Sequence, residues 1–252
     1  MLPEKKIYFL SDFHLGAPTP EVSLIREKKI IRFLDEIKES AEHIFIVGDL
    51  FDFWFEYKRV VPKGYVRILG KLAELTDSGI PVSFFVGNHD MWMNDYFQKE
   101  LNVQVYHKPE AFVFNNKKFL IGHGDGLGPG DSKYKMMKKV FRSSTGKFLF
   151  GLLPPSIGIG IADYFSKKSR AKTGQSDEVF LGEEKEWLII YSKQLLQKEH
   201  FDYFIFGHRH LPIDISLTDQ SRYINLGDWI KYNSYAVFED GNLALKYLDT
   251  SA

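Results

Sequence analysis

The chain has 252 residues, 44% hydrophobic and 26% charged, which excludes disordered, collagen-like and low-complexity architectures. Its 33 basic and 33 acidic residues cancel, so bulk charge gives no sign of a nucleic-acid binder. Cysteine is absent, which removes disulfides, thiolate metal sites and Cys nucleophiles together and fits a reducing compartment. Lys5–Leu10 is rich in Ile, Tyr and Phe and reads as a strand. Only four apolar residues, Ile7–Leu10, follow its two lysines, too few for a secretory signal. Glu21–Ser40 has apolar residues at 22, 25, 30, 31, 34 and 37, a helical spacing. His43–Val47 reads as a buried strand, Gly64–Ser78 as a helix ending at Gly79–Pro81, and Pro81–Val86 as a third strand. That order predicts a parallel βαβ core.

The second half changes style. Ala111–Phe114 and Lys118–Ile121 resemble a hairpin, Glu183–His200 a long helix and Asp202–Phe206 a strand. Ile213–Leu217, Arg222–Leu226, Ser234–Phe238 and Leu243–Tyr247 follow with mostly polar turns, and read as an antiparallel meander. The expected fold class is α/β: two mixed sheets packed together, helices outside, in one domain spanning residues 1–252.

Residues 126–182 differ in composition and read as an insertion or cap. Within them, residues 131–172 hold ten Lys/Arg and two acids, a charge of +8 that the rest of the neutral chain offsets. Lys133–Phe150 alternates basic and apolar residues, and Leu152–Ala162 is glycine-rich and uncharged. The longest apolar stretch, Phe148–Ala162, falls short of the ~20 residues of a membrane span and is broken by Pro154 and Pro155. A basic amphipathic segment suits an anionic membrane surface. Helices packed on the core and a nucleic-acid patch are the rival readings of the same pattern.

Five strand-like runs end in side chains able to bind metal: Asp12-Phe-His14, Gly48-Asp49-Leu-Phe-Asp52, Gly87-Asn88-His89-Asp90, Gly122-His123-Gly-Asp125 and Gly207-His208-Arg-His210. Ligands of open α/β sheets gather at the carboxyl ends of strands, so these loops should converge. Five of the eight histidines lie in them; His43, His107 and His200 have no such context. A sulfur-free Asp/His/Asn set suits manganese, iron or zinc better than calcium or copper.

The ordered series DxH, GDxxD, GNHD, GHGD and GHRH resembles the calcineurin-like metallophosphoesterase superfamily over residues 7–230. The resemblance implies a β-sandwich flanked by helices and a two-metal hydrolase. It implies one ion on Asp12, His14 and His210, a second on Asn88, His123 and His208, and Asp49 bridging them. It makes His89 a non-ligand catalytic histidine and Asp52 its carboxylate partner, a pairing that favours the imidazolium. Asp90 and Asp125 are left as either supporting or structural groups.

Finer features are similar to the UDP-2,3-diacylglucosamine hydrolase family of lipid A synthesis: Gly48–Trp54, His123–Leu127, Asp131, Gly207–Pro212 and the long helical insertion. That likeness implies cleavage of an acylated UDP-sugar pyrophosphate to UMP and 2,3-diacylglucosamine 1-phosphate. It also implies two divalent ions, manganese above iron or zinc, and peripheral attachment to the cytoplasmic face of the inner membrane. Asp131 and Tyr134, with Ser169, Arg170 and Lys172, match substrate-binding positions. No nucleic acid is expected, and no protein partner is evident. The best-known members of that group have Arg where this chain has His89, and Glu where it has Asp52. A metallophosphoesterase for soluble nucleotides or other phosphodiesters is the second enzymatic reading. A scaffold without catalysis is the third.

Overall fold

The structure is a computed structural model that describes residues 5–129, 132–173 and 179–248. Two mixed sheets form its centre. In the first, β1 (Lys6–Leu10), β2 (Ala41–Ile46), β3 (Val82–Phe85) and β4 (Gln104–Tyr106) run parallel. In the second, β5 (Glu110–Phe114) pairs antiparallel with β6 (Lys117–Gly122), and β6 runs parallel to β7 (Tyr203–Phe206). The hairpin β8 (Pro212–Thr218)–β9 (Ser221–Leu226) completes it, with β9 parallel to β7. The hairpin β10 (Ser234–Glu239)–β11 (Asn242–Tyr247) returns to the first sheet, antiparallel to β1.

The alternation of side chains builds three apolar layers. Ile7 and Phe9 of β1 face the other sheet with Phe45, Phe119, Ile205, Ile224 and Phe238. Phe9 stacks on Phe45, ring centroids 5.2 Å apart, and on Phe119 at 6.1 Å. Tyr8 and Leu10 point the other way, to α1 (Pro20–Ile37) and α2 (Val66–Asp77). The outer face of the second sheet is covered by Leu188 and Ile189 of α7 (Trp187–Leu196). Helix α1 starts where Thr19 accepts from the Val22 amide at 3.4 Å and Pro20 presets the first turn.

The expected two mixed sheets with outer helices are present. The expected four-strand meander is not. Its strands form two separate hairpins, one on each sheet. The reason lies in β9, which is buried on both faces: Tyr223 packs toward α7 and Ile224 between the sheets. A strand buried on both faces belongs inside a sheet, here beside β7, not in a meander with one wet face. The helix expected over Glu183–His200 covers only Trp187–Leu196, because the backbone at Glu186 is extended (φ −73°, ψ 104°) and its carboxylate is turned to Arg209 and the Leu181 amide. Helix α3 (Tyr96–Leu101) and β4 were not anticipated; six and three residues are too few for a periodic signal. Between β6 and α7 the chain forms α4 (Ser132–Arg142), α5 (Ser144–Gly151) and α6 (Pro155–Thr173).

His43, outside the strand-end loops, stacks on Phe45 at 4.1 Å and meets the Ser83 hydroxyl at 2.9 Å. Burial pushes its imidazole down to about 4. The folded state therefore resists protonation that the unfolded chain accepts near 6.5, and this costs stability progressively as pH falls from about 6.5 to 4. His43→Gln should remove that part of the acid sensitivity. In urea titrations at pH 7.5, 5.5 and 4.5, the stability gap should move in the variant's favour at each step down.

Candidate metal centre

The loops after β1, β2, β3, β6 and β7 are stitched to one another by main-chain bonds. The Asp12 amide donates to Gly48 O at 3.1 Å, His14 to Asp49 O at 2.9 Å and Gly207 to His123 O at 3.0 Å. Close approach requires glycine in two of them. Gly48 has a φ of +89°, and a Cβ there would overlap the His123 ring. A Cβ on Gly207 would overlap Ser11 and Asp12.

Each donor is aimed by a second contact. Asp49 Oδ1 accepts from the His89 amide at 2.9 Å, which leaves Oδ2 facing inward. That oxygen lies 3.6 Å from His14 Nε2 and 3.3 Å from His123 Nε2, between two groups of side chains. Asp12 Oδ2 accepts from Ser11 Oγ and from the His208 amide. Its Oδ1 is buried without a hydrogen-bond partner, 3.6 Å from His14 Nε2 and 3.4 Å from His210 Nε2. The two imidazole nitrogens of His14 and His210 meet at 3.2 Å.

On the other side, His123 donates from Nδ1 to Val47 O at 2.8 Å, so Nε2 faces Asn88 Oδ1 at 3.2 Å. His210 Nδ1 points at Asp228 Oδ2, 3.3 Å away. Asp228 Oδ1 is fixed by the amides of Ile230, Lys231 and Tyr232. Outer contacts of this kind set tautomer and ring orientation at metal sites. The ligating atoms of Asp12, His14 and His210 lie within 4.8 Å of one another, as do those of Asp49, His123 and His208. His14, Asp49 and His89 form a third such group.

The electrostatics favour cations. Burial alone would raise the Asp49 carboxyl, but His123 and His89 outweigh it and hold it well below the usual range. Burial would lower His123, yet Asp49 and Asp12 lift it to about 10. The carboxylates thus draw positive charge into a largely buried cluster. The backbone is strained in the same place: Asp12, His14, Asp49, His208 and His210 all have φ between 45° and 67°. A buried unpartnered carboxylate oxygen, converging imidazole nitrogens and the lack of sulfur fit a pair of divalent ions.

His89 meets Asp52 through two contacts, the main-chain one the shorter. Its Nδ1 bonds the main-chain oxygen of Asp52 at 2.8 Å, while the Asp52 carboxylate stays 3.9 Å away. That carboxylate accepts instead from Ser166 of α6 at 2.8 Å and lies 3.5 Å from His14 Nδ1. Burial pushes the His89 imidazole down to about 4, with the Asp49 carboxylate opposing it. Asp90 has a structural place, accepting from the amides of Gly87 at 2.7 Å and Leu50 at 2.9 Å. Asp125 pairs with Lys138 of α4 at 2.5 Å. Asp131 and the side chains of Tyr134, Ser169, Arg170 and Lys172 lie outside the described residues.

Sequence reasoning missed Asp228, Ser166 and Lys138. Asp228 carried a signal, since Leu226-Gly-Asp repeats the strand–Gly–Asp form of the other loops. Ser166 and Lys138 reach the site only through the folding of α4 and α6, which no local pattern reveals.

The class follows from this convergence and from a direct match. Residues 5–212 fit the family model described as calcineurin-like phosphoesterase, and the chain belongs to that family. It is 38% identical to a UDP-2,3-diacylglucosamine hydrolase of Porphyromonas gingivalis, covering 97% of this chain and 98% of that one. A Haemophilus influenzae protein of the same name is 29% identical, covering 90% and 92%. Among solved structures, a phosphoesterase from E. coli overlays with a TM-score of 0.44 at 16% identity, covering 97% of this chain and all of its own.

Gly48→Ala tests the close packing of the loops. The positive φ alone costs about 1–3 kcal/mol. Gly241 has a φ of +75° with open space around it. Gly48→Ala should therefore lower the urea midpoint further than Gly241→Ala, the excess reporting the collision with His123.

Proposed function

We propose that this chain hydrolyses the pyrophosphate bond of UDP-2,3-diacylglucosamine, giving UMP and 2,3-diacylglucosamine 1-phosphate. The observation that carries this reading is the near full-length match to the Porphyromonas gingivalis hydrolase, joined to a site of matching chemistry. Asp12, His14 and His210 would hold one divalent ion. Asn88, His123 and His208 would hold the second, with Asp49 Oδ2 shared. Manganese is the preferred occupant, iron or zinc the alternatives. Such a pair supplies a water nucleophile at neutral pH and charge to stabilise in-line displacement.

The protein's own part is placement. Water adds to one phosphorus, the bridging P–O bond breaks, and the departing phosphate leaves with the electron pair. His89 stands at the rim, within 4.8 Å of the donors of His14 and Asp49, its Nδ1 fixed on Asp52 O. Nε2 is then the open atom, and in the protonated ring it could donate to a phosphoryl or leaving oxygen. The Asp52–Ser166 bond ties α6 to this rim, so the helices between β6 and α7 are the natural cover for the substrate. In this reading Asp131, Tyr134, Ser169, Arg170 and Lys172 contact the acylated sugar.

The same helices would seat the enzyme on an anionic membrane, at the inner face of the inner membrane. No single described helix is long and apolar enough to cross a bilayer. Yet Met136, Phe148, Leu149, Leu152, Tyr164 and Phe165 are each 58–66% exposed. The basic residues are not equivalent. Lys138 is spent on Asp125, and Lys135 donates to Gly128 O at 2.5 Å. Lys139 is exposed.

Two measurements bear on this proposal. Asp49→Ala should leave fewer than one ion per chain by elemental analysis and abolish turnover of the acylated substrate. Two retained ions with native turnover would remove Asp49 from the bridging position. Separately, Lys139→Glu combined with Phe148→Ser and Leu149→Ser should abolish co-sedimentation with phosphatidylglycerol liposomes while two metal ions per chain remain. Undiminished sedimentation would exclude this face as the docking surface.

A further inference from the structure

A cavity of about 150 Å³ adjoins the centre, with His123 in its wall. Its other walls include Tyr106, His107 and Lys108 beyond β4, Asp125, and Lys138 and Arg142 from α4. Its charge is unbalanced. Arg142, Lys138 and Lys108 bring three positive groups, and the single carboxylate, Asp125, is already paired with Lys138.

Arg142 is the unusual member. Its Nη1 donates to His107 O at 3.3 Å. Its Nε and Nη2 are buried and have no hydrogen-bond partner. A buried donor left unpaired costs about 1–3 kcal/mol, so such groups are rare and call for a reason. A guanidinium with free N–H groups is the side chain best matched to phosphate oxygens. The neighbouring ammonium of Lys108 adds charge without competing for geometry.

We infer that this cavity is a phosphate subsite, in which Arg142 binds a phosphoryl group through Nε and Nη2. This rests on the diphosphate substrate proposed above and names the residue for its second phosphate. The site at His123 would take the phosphorus under attack, and the cavity the one beside it. Selectivity for a diphosphate over a simple diester then comes from Arg142.

The test uses the manganese-loaded protein and two probes. Isothermal titration of inorganic phosphate should show about ten-fold weaker binding in Arg142→Met, the lower end expected for a lost charge-assisted contact. Arg142→Lys should recover part of it. For UDP-2,3-diacylglucosamine, Arg142→Met should raise KM. The fall in kcat/KM should exceed that for bis(p-nitrophenyl) phosphate about ten-fold. Lys108→Gln, at an exposed side chain, should lose less in the same direction and decides the matter if Arg142→Met does not fold. Weakened phosphate binding with an unchanged KM assigns the subsite to free phosphate instead of substrate. Unchanged phosphate affinity in both variants overturns it, as does an equal fall on both substrates. A wild-type protein that binds phosphate through Arg142 yet leaves the acylated substrate intact keeps this subsite and removes the proposed function.

Discussion

One hydrogen bond sets the geometry of the centre: the His89 amide on Asp49 Oδ1. It joins the loop after β3 to the loop after β2 and decides which oxygen of Asp49 looks inward. With Oδ1 occupied, Oδ2 alone stands between His14 and His123. Asp12 obeys the same logic, Oδ2 held by Ser11 and the His208 amide, Oδ1 left bare. Each carboxylate uses one oxygen for structure and keeps one for chemistry. The strained φ values of the five loop residues are the cost of this arrangement, and the parallel strands behind them supply the rigidity that sustains it.

The helices between β6 and α7 are fastened to the loops of the site, not merely laid over them. Ser166 holds Asp52, Lys138 holds Asp125, and the Trp92 indole donates to Phe141 O at 2.7 Å. Trp92 also stacks on Phe150, centroids 4.8 Å apart. Further along the chain, buried Arg209, between His208 and His210, grips Glu186 at 3.0 Å. Displacement of these helices would therefore be felt at the residues around the metal donors. Phe150 packs inward on Phe55 and Trp92, while Met136, Phe148, Leu149, Leu152, Tyr164 and Phe165 face outward. A helix pair that serves only to complete a core would not leave so many large apolar side chains outside.

The strand-end motifs were legible because parallel strands send their loops to the same edge, and Asp12, His14, Asp49, Asn88, His123, His208 and His210 are indeed gathered there. Strands were legible from short Ile/Phe-rich runs, but sheet membership was not. Arg222–Leu226 looks like any hairpin strand until its two-sided burial is known, and that depends on residues far away in sequence. The form of the Asp52–His89 contact was not legible for a similar reason. Sequence shows which side chains share a loop, not whether a ring will bond the carboxylate or the carbonyl of the same residue. Lys138 shows the limit most clearly. In the sequence it is one of ten basic residues in a run; in the fold it neutralises Asp125 beside His123.

That redistribution changes how the basic segment would hold a membrane. A Lys or Arg near an anionic surface contributes about 1 kcal/mol. Of its cations, Lys135, Lys138 and Arg142 are engaged within the protein. A fully buried Phe or Leu is worth about 1.5–3 kcal/mol. Phe148, Leu149 and Leu152 are each 58–66% exposed and close together on α5 and just beyond it. At half that value these three would contribute about 2–4.5 kcal/mol, comparable to the roughly 3 kcal/mol of the three engaged cations. Binding through this face would draw on apolar insertion as well as charge, with charge steering the approach. Raising ionic strength, which screens charge over about 8 Å under physiological conditions, would slow encounter more than it would release bound protein.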